Sequence, residues 1–391
     1  MTFFILPIVT NHLDVSSIEI QKGTPDIYIS KTLQEYLSVI KGNIDDCQVD
    51  WDLYKKYTNP YEYIQTQIPG EKYSVSSLKP LSRSYFKMIE IVKTHNILNP
   101  YNDKTIKTFH LAEGPGGFIE AIAHLRKNKK DIYYGMTLLN DVAGIPGWNK
   151  STQFLKNTPN VIIEKGVDGK GDLYNFANLK NCVEKYGNSM DLITGDGGFD
   201  FSVDFNDQET ASTRLLLSQI CFALSLQKKG GSFILKCFDC FNRSTIDLIY
   251  IIFMFYGNCY ITKPLTSRIA NSERYIVCLN FKYDNTSYLL PKWQEMYSQI
   301  ENNIRIKGFL KNPLPYYFIS KIEEINLIIG KTQIENILYT LKLIRQTNKS
   351  DLENKLSTIK KKNIDKCINW CKKYNVAYHS KIVNNIFISD F

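Results

Sequence analysis

The sequence predicts an α/β fold built on a mainly parallel, doubly wound sheet. Residues 76–284 alternate short apolar, strand-like runs with longer helical patterns, which is typical of repeated βα units. The Gly-rich stretch HLAEGPGGF at residues 110–118 follows the first of these runs and precedes a helical one. The chain has 391 residues and is 43% hydrophobic, which is enough for one sizeable packed core with additions.

Seven strands and four helices are expected in this middle section. The expected strands are residues 106–111, 132–137, 161–164, 191–194, 232–237, 259–262 and 274–281. The expected helices are residues 81–94, 118–126, 209–227 and 244–255. Ligands bind such sheets at the carboxyl ends of the strands, near the switch point after the first strand. The Gly-rich stretch lies at that point.

Two further segments flank the middle section. Residues 1–75 form an N-terminal extension of unknown role, in which short β-like runs mix with aromatic and polar segments. Residues 285–391 have a helical pattern, because apolar residues from Ile334 to Leu341 recur at i, i+3, i+4 and i+7. We expect that apolar stripe to pack on the middle section, which is assigned to residues 76–284.

The basic charge of the chain lies in its C-terminal quarter. The formal net charge is +9, and residues 285–391 carry 17 Lys and Arg against 9 Asp and Glu, a net of +8. Such a surface suits a polyanionic partner, but Lys-rich solvated helix faces are also common. Charge alone leaves both interpretations open.

The nine cysteines indicate a reducing compartment. Their number is odd and they are scattered, unlike the disulfide frameworks of small secreted domains. Cys237 and Cys240 form a lone C-x-x-C without the second pair that a zinc site usually needs, so no metal site is predicted. The longest apolar run, residues 246–256, is too short to span a bilayer, and the N-terminus lacks the features of a signal peptide.

Gly114, Gly116 and Gly117 allow a ligand to approach the backbone closely. A dinucleotide site would have the spacing G-x-G-x-x-G and an acid after the second strand, whereas this chain has G-P-G-G and then YYGMTL. The sequence Gly-Lys-Thr at 330–332 lacks the upstream glycine of a phosphate-binding loop. A purely structural turn at residues 114–117 is the remaining alternative.

Four charged side chains are expected at the same cleft. Asp196 ends the fourth strand and Lys236 lies in the fifth. Glu273 directly precedes the last strand, and Lys87 lies on the helix before the first. If the last strand is antiparallel, its start lies at the same edge as the ends of the parallel strands. Taken singly, a Lys in a strand often snorkels or pairs structurally, and an Asp before two glycines often only forms a turn.

Together these features resemble the FtsJ-like ribose 2′-O-methyltransferases, over roughly residues 78–284. The segments LAEGPGGF, GMTL, DGKGDLY, DGGF and KPLTSRIANSERYIVC are similar to those of the mRNA cap ribose methyltransferases of eukaryotes and large cytoplasmic DNA viruses. The resemblance implies a Rossmann-like S-adenosylmethionine-dependent methyltransferase fold with a seven-stranded, mostly parallel sheet whose last strand is antiparallel. It also implies a cytoplasmic location, with a viral factory, a virion or the nucleus as alternatives.

The resemblance further implies which residues form the site. The implied catalytic tetrad is Lys87, Asp196, Lys236 and Glu273. S-adenosyl-L-methionine would contact Glu113, Gly114, Pro115, Gly116, Gly117, Phe118, Met136, Thr137, Leu138, Asp172 and Asp196. Candidates for contact with the RNA backbone are Ser82, Arg83, Asn271 and Ser272. No acid follows the second strand to hold the cofactor ribose, so that contact is unassigned.

In this scheme Lys236 deprotonates or steers the ribose hydroxyl. A lysine acts as a base only if its pKa is lowered, which burial and a second cation such as Lys87 can achieve. Asp196 and Glu273 would orient the two ammonium groups. No metal is required. Trp148 is expected to pack in the core or a loop rather than to stack on a base.

The expected function is methylation of the ribose 2′-hydroxyl of the first transcribed nucleotides of capped mRNA. One alternative is the same reaction on ribosomal or transfer RNA. Another is an RNA-binding accessory subunit of a capping or polymerase complex, and a nicotinamide-dependent oxidoreductase is a distant third. The expected partners are the capped 5′ end of mRNA and other capping or transcription subunits at the C-terminal region, with no membrane.

Overall fold

The computed structural model describes residues 2–8, 14–139, 147–198, 208–300 and 305–379. The strands are β1 (Thr2–Ile5), β2 (Ile18–Lys22), β3 (Lys107–Leu111), β4 (Ile132–Met136), β5 (Val161–Ile163), β6 (Met190–Gly195), β7 (Gln227–Cys237), β8 (Tyr256–Lys263), β9 (Arg274–Phe281) and β10 (Ile306–Leu310). The helices are α1 (Lys31–Gly42), α2 (Gln48–Thr58), α3 (Ser84–Thr94), α4 (Gly117–Arg126), α5 (Thr152–Asn157), α6 (Phe176–Tyr186), α7 (Gln208–Leu226), α8 (Arg243–Phe255), α9 (Leu290–Gln299), α10 (Tyr316–Ile344) and α11 (Lys349–Lys373).

The main sheet has the strand order β1-β8-β9-β7-β6-β3-β4-β5. Strands β3 to β7 are mutually parallel, and β9 runs antiparallel between β7 and β8. The predicted seven strands and the antiparallel last strand are therefore confirmed. The eighth strand, β1, is an addition from the N-terminus that pairs antiparallel with β8. Sequence reasoning missed it because a run of four residues shows no measurable period.

Both faces of the sheet are buried, which explains the continuous apolar runs in its strands. Neighbouring strand residues point to opposite faces. Leu192 and Ile234 belong to one buried cluster, while Ile193 and Phe233 belong to another on the opposite face. The order of strands also places the carboxyl ends of β3, β6 and β7 at one edge, where β9 begins.

The segments before and after the middle section pack on each other. Strand β2 pairs antiparallel with β10, so residues 285–391 are not wholly helical as expected. The prediction that the apolar stripe of α10 packs on residues 76–284 is wrong. Ile337 and Leu341 pack with Ile40, Ile44 and Trp51 of the N-terminal extension. The reason is that α1 and α2 present apolar faces of their own to α10.

Helix α11 lies against the middle section, residues 76–284. Its Trp370 contacts Phe86 of α3, with ring centroids 6.0 Å apart, and its Cys367 and Cys371 are fully buried. None of the described helices combines the length and the apolar character that crossing a membrane requires.

Candidate active site

Three strands and helix α3 bring the predicted tetrad to the carboxyl edge of the sheet. Asp196 directly follows β6, and Lys236 is the penultimate residue of β7. Lys236 stands opposite Tyr275 in the antiparallel pairing of β7 with β9, so Glu273, just before β9, reaches the same edge. Helix α3 supplies Lys87 from the side.

The four side chains form one connected cluster. The Lys87 ammonium lies 2.5 Å from Glu273 Oε1. The Lys236 Nζ lies 3.2 Å from Asp196 Oδ1 and donates to the Asp196 carbonyl at 2.6 Å. The hydroxyl of Tyr275 donates to Asp196 Oδ1 at 3.3 Å and also to Glu273 Oε1, so it links the two ion pairs. The four charged side chains are only 7% to 16% exposed.

Two members of this cluster were not anticipated. Tyr275 lies two positions after Glu273, so the two side chains point to the same face of the strand. That spacing was the signal in the sequence that pointed to Tyr275. Lys263, the last residue of β8, donates to the Glu273 carbonyl at 2.6 Å and to the Asn271 carbonyl. Lys263 is the first residue of the segment KPLTSR, which leads from a predicted strand toward Glu273, and this position was visible in the sequence.

Burial and neighbouring charges set the protonation of this cluster. Burial alone would raise the pKa of Glu273, but the ammonium groups of Lys87, Lys236 and Lys263 lower it well below its usual range. Burial lowers the pKa of Lys263 to about 7, although the Glu273 carboxylate opposes this change. Glu273 is thus ionised at neutral pH.

Glycines let two loops cross the site at close range. A Cβ at Gly198 would lie 3.1 Å from Lys236 Nζ, so the loop after β6 passes directly over that ammonium group. Gly116 has a φ of +101° at the start of α4, a conformation that favours glycine. A Cβ at Gly117 would lie 2.2 Å from Ser82 Oγ. The glycines of 114–117 thus serve close packing as well as a turn.

The residues around Glu113 fit S-adenosylmethionine. Glu113 Oε1 accepts from the Phe118 N–H at 2.6 Å, while its buried Oε2 has no partner among the described residues. Burial, with the charge of Asp196, raises the pKa of Glu113 well above its ordinary value. A cationic group bound at Oε2 would favour the ionised form of Glu113 and pair with it, and the start of α4 suits a carboxylate. The methionine part of this cofactor carries both.

A second loop brings Asp172 to the end of β4. The Leu139 N–H donates to the Lys170 carbonyl at 2.6 Å, and a Cβ at Gly171 would lie 2.2 Å from the Thr137 carbonyl oxygen. Buried Asn178 fixes this loop by donating to the Asp172 carbonyl at 2.9 Å. The loop that carries Asp172 therefore packs against the end of β4, the strand that pairs with β3 just before Glu113.

The four predicted RNA contacts have different environments. Ser82 Oγ lies 2.5 Å from Ser84 Oγ, at the start of α3. Arg83 forms an ion pair with Glu62 at 2.7 Å, and Asn271 Oδ1 accepts from the Glu273 N–H at 2.7 Å. Ser272 is only 2% exposed and donates to Gln208, so its position argues against the predicted contact with an RNA backbone.

Other residues that the sequence singled out have structural positions. Trp148 is 9% exposed and packs against Gly116 and Gly135, in keeping with the core packing expected of it. Cys237 and Cys240 are buried and reduced. Within the described ranges, no group of three or more His, Cys, Asp or Glu side chains is arranged to hold a metal ion. The motif residues 199–202 and the residues 144–146 before Trp148 lie outside the described ranges.

The N-terminal extension holds the segment from Pro264 to Glu273, called here the 264–273 segment. Buried Glu62 accepts from Arg268 of this segment at 2.8 Å and from Arg83 at 2.7 Å. Burial would raise the pKa of Glu62, yet these two guanidinium groups lower it to about 2. Asn59 also accepts from the Ile269 N–H at 2.8 Å.

Helices α3, α10 and α11 hold the same segment from other sides. The Glu90 carboxylate of α3 accepts from the Leu265 and Thr266 N–H groups at 2.8 and 3.2 Å, and from Trp370 Nε1 of α11 at 3.3 Å. Gln333 of α10 donates to the Ala270 carbonyl at 2.8 Å. The segment that carries Glu273 is therefore fixed by both flanking regions of the chain.

Comparison with known proteins identifies relatives of this chain. A trypanosomatid protein, cap-specific mRNA (nucleoside-2′-O-)-methyltransferase 1 of Leishmania braziliensis, is 38% identical over 176 residues, covering 43% of this chain and 42% of that protein. Cap-specific mRNA (nucleoside-2′-O-)-methyltransferase 2 of Danio rerio is 28% identical over 338 residues, covering 80% of this chain and 43% of that protein. The chain thus spans less than half the length of these curated relatives.

A solved structure of human methyltransferase-like protein 13 with SAH matches 60% of this chain and 95% of its own, at 10% identity and a TM-score of 0.35. The family model for FtsJ-like methyltransferases matches residues 80–281, which is about half of the chain and includes all four tetrad positions. The chain belongs to the FtsJ-like methyltransferase family.

Proposed function

We propose that this chain transfers a methyl group from S-adenosylmethionine to the ribose 2′-hydroxyl of the first transcribed nucleotides of capped mRNA. The observation that carries the proposal is the contact of Lys87, Asp196, Lys236 and Glu273 in one cluster. This cluster is expected to lie beside the residues predicted to bind the cofactor. The names of the Leishmania and zebrafish relatives support capped mRNA as the substrate. The cofactor supplies the methyl group when bound.

In this proposal Lys236 acts on the substrate hydroxyl. Its ammonium is held by the carboxylate and the carbonyl of Asp196, and these described contacts use two of its three N–H groups. The third would be directed at the ribose oxygen and would hold it in line with the methyl group. Such alignment of two reactants is worth roughly 7–11 kcal/mol in favourable cases.

The remaining members of the cluster fix that geometry. Lys87 is held by Glu273, and Tyr275 ties Glu273 to Asp196, so a shift of one ion pair would move the other. As the oxygen gains the methyl group, its proton would pass to solvent water, and the Lys87 and Lys236 ammonium groups would stabilise the negative charge that develops on the oxygen. Glu113, Phe118 and Asp172 would bind and orient the cofactor.

A second candidate function is an RNA-binding subunit of a capping or transcription complex, acting through the C-terminal region. Its support is the net charge of +8 in residues 285–391, together with the exposed positions of Lys361, Lys362 and Lys366 on α11. The same chain can perform both roles. Methylation of ribosomal or transfer RNA is the other alternative, and dependence on a 5′ cap separates it from the main proposal.

The test is methyl transfer from labelled S-adenosylmethionine to two short RNAs that differ only in the 5′ cap. We expect transfer to the capped RNA alone. We expect Lys236→Met to lower the rate at least 100-fold, a typical loss when a donor that stabilises developing negative charge is removed. The matched control is Lys228→Met, on the same strand but with its side chain 55% exposed. Equal transfer to both RNAs would contradict the cap proposal, and an active Lys236→Met would contradict the assigned role.

A further inference from the structure

Helix α10 has a row of exposed side chains along the side that α1 and α2 do not cover. On the covered side, Ile337 is buried against Ile40 and Trp51. The exposed row follows alternating spacings of four and three residues, which keep side chains on one face of a helix. This row, called here the α10 stripe, consists of Glu324, Ile328, Lys331, Glu335, Leu338 and Lys342, all of them exposed.

Large apolar side chains stand out in this position. Within the stripe, Ile328 is 41% exposed and Leu338 is 42% exposed. Beside them, Leu327 is 60% exposed and Tyr339 is 45% exposed. Single exposed apolar residues are common on monomers, but several on one face of one helix form a patch, and such patches mark contact with another surface.

The apolar part of the patch matches a reversed copy of itself. In two antiparallel helices related by a two-fold axis at the level of residue 333, a residue n positions before 333 lies opposite the residue n positions after it. Ile328 of one helix then lies opposite Leu338 of the other. By the same relation Leu327 lies opposite Tyr339. The two-fold axis repeats each of these apolar contacts, so the interface has apolar layers on both sides of its centre.

The charged part of the stripe is complementary in the same arrangement. Lys331 of one helix lies opposite Glu335 of the other, and Glu324 lies opposite Lys342. In a parallel pair in register, each of these side chains would meet its own copy, and like charges repel. Within one chain Lys331 lies 3.8 Å from Glu335, but the two side chains are 72% and 64% exposed. Such a surface pair contributes little, so both groups can pair with another chain at small cost.

We propose that the α10 stripe is the interface of a homodimer, in which two copies of this chain pair their α10 helices antiparallel about residue 333. The stripe covers residues 324–342, roughly 27 Å of helix at 1.5 Å per residue. A contact between two single helices is at the small end of specific interfaces, so we expect a reversible dimer whose amount depends on concentration. The stripe shares no residue with the tetrad or with the predicted cofactor contacts, so this inference does not rest on the proposed function.

The test is sedimentation velocity of the full chain over concentrations of about 1 to 100 µM, which reports a dissociation constant within that range. Lys331→Glu makes both residues of the central charged pair acidic, and Glu335→Lys makes both basic. Each variant therefore repels its own copy, whereas the two variants attract each other. The matched control is Lys229→Glu, which makes the same charge change at an exposed ion pair with Asp284. Thermal melting of each variant verifies folding.

We expect the wild type and the control to dimerise with similar affinity. Each of the two α10 variants alone should dimerise at least about 10-fold more weakly, because like charges then meet twice across the interface. An equimolar mixture of the two should recover an affinity within about 3-fold of the wild type, which an effect inside a single chain cannot produce. A mixture that does not recover, or variants that dimerise like the wild type, would overturn the inference. A wild type that stays monomeric throughout would also overturn it, and would assign the stripe to a different protein.

Discussion

At the scale of single residues, the site consists of two ion pairs, and neither lysine lies in it without a carboxylate partner. Lys87 and Lys236 each contact one carboxylate, and Tyr275 joins the two pairs. The sequence predicted the four charged residues at one edge because Asp196, Lys236 and Glu273 lie in or beside strands that end or begin there, and because the family resemblance adds Lys87 to them. It missed Tyr275 and Lys263: their positions, two residues after Glu273 and at the end of a strand, were visible, but a strand pattern does not show which buried polar side chains meet across neighbouring strands.

Glu113 gives a residue-scale prediction on cofactor binding. Its Oε2 is buried without a described partner, so we expect it to accept from a cationic group of S-adenosylmethionine. Glu113→Gln should weaken cofactor binding about 10- to 100-fold, the worth of a hydrogen bond to a charged group. Isothermal titration calorimetry measures the affinity directly. Glu120→Gln, on the first turn of α4, is the control, and unchanged affinity in Glu113→Gln would contradict the assigned contact.

At the scale of elements, the 264–273 segment explains what residues 1–75 contribute to the site. Asn59 and Glu62 hold the segment from one side, and Gln333 holds it from the other. The sequence predicted the neighbouring strands well, since each carries an apolar run bounded by turn residues. It did not predict these contacts, because they join parts of the chain about 200 residues apart, such as Glu62 and Arg268.

Glu62→Gln is the test of this element. Loss of the carboxylate leaves Arg83 and Arg268 without their charged partner, and should lower the free energy of unfolding by about 1–3 kcal/mol at pH 7. The loss is smaller than for a fully buried pair because the arginines are 27% and 35% exposed. We also expect a lower kcat with little change in cofactor affinity. Glu35→Gln, with its side chain 59% exposed, is the control for both measurements.

The same substitution has a predictable pH dependence. The pKa of Glu62 is lowered to about 2 in the folded chain, so its contribution is fully present above about pH 4.5 and is lost as the pH falls toward 2. The difference in unfolding free energy between wild type and Glu62→Gln should therefore narrow by about 1 kcal/mol between pH 7 and pH 3.5. Urea melts at several pH values measure it. A constant difference would show that the carboxylate is not ion-paired in the folded protein.

At the scale of the whole molecule, the regions before and after the catalytic domain are part of its structure. Trp370 of α11 packs on Phe86, and α10 packs on the N-terminal helices. The sequence predicted the helical character and the charge of residues 285–391, but not strand β10 or the partners of its apolar stripe. Partners of a helix face depend on which other apolar faces are uncovered, and periodicity does not reveal that.

Removal of the C-terminal region tests this view of the whole chain. A chain ending at residue 285 exposes the surfaces of Phe86, Ile40 and Ile44 that α10 and α11 cover. We expect it to be less stable and to aggregate, rather than to remain an active enzyme with weaker RNA binding. Circular dichroism melting and size-exclusion chromatography report this outcome. A monomeric truncated chain that melts cooperatively at the wild-type temperature would contradict it.

The central claim is that the tetrad directs methyl transfer to a ribose 2′-hydroxyl at the capped end of RNA. The measurement uses four capped RNAs: one that lacks the 2′-hydroxyl of the first transcribed nucleotide, one that lacks that of the second, one that lacks both, and the unmodified RNA. We predict that one of these single-atom changes abolishes transfer of the labelled methyl group, while RNA affinity changes less than about 3-fold. Undiminished transfer to an RNA lacking both 2′-hydroxyls would contradict the claim, because the methyl acceptor would then be another atom.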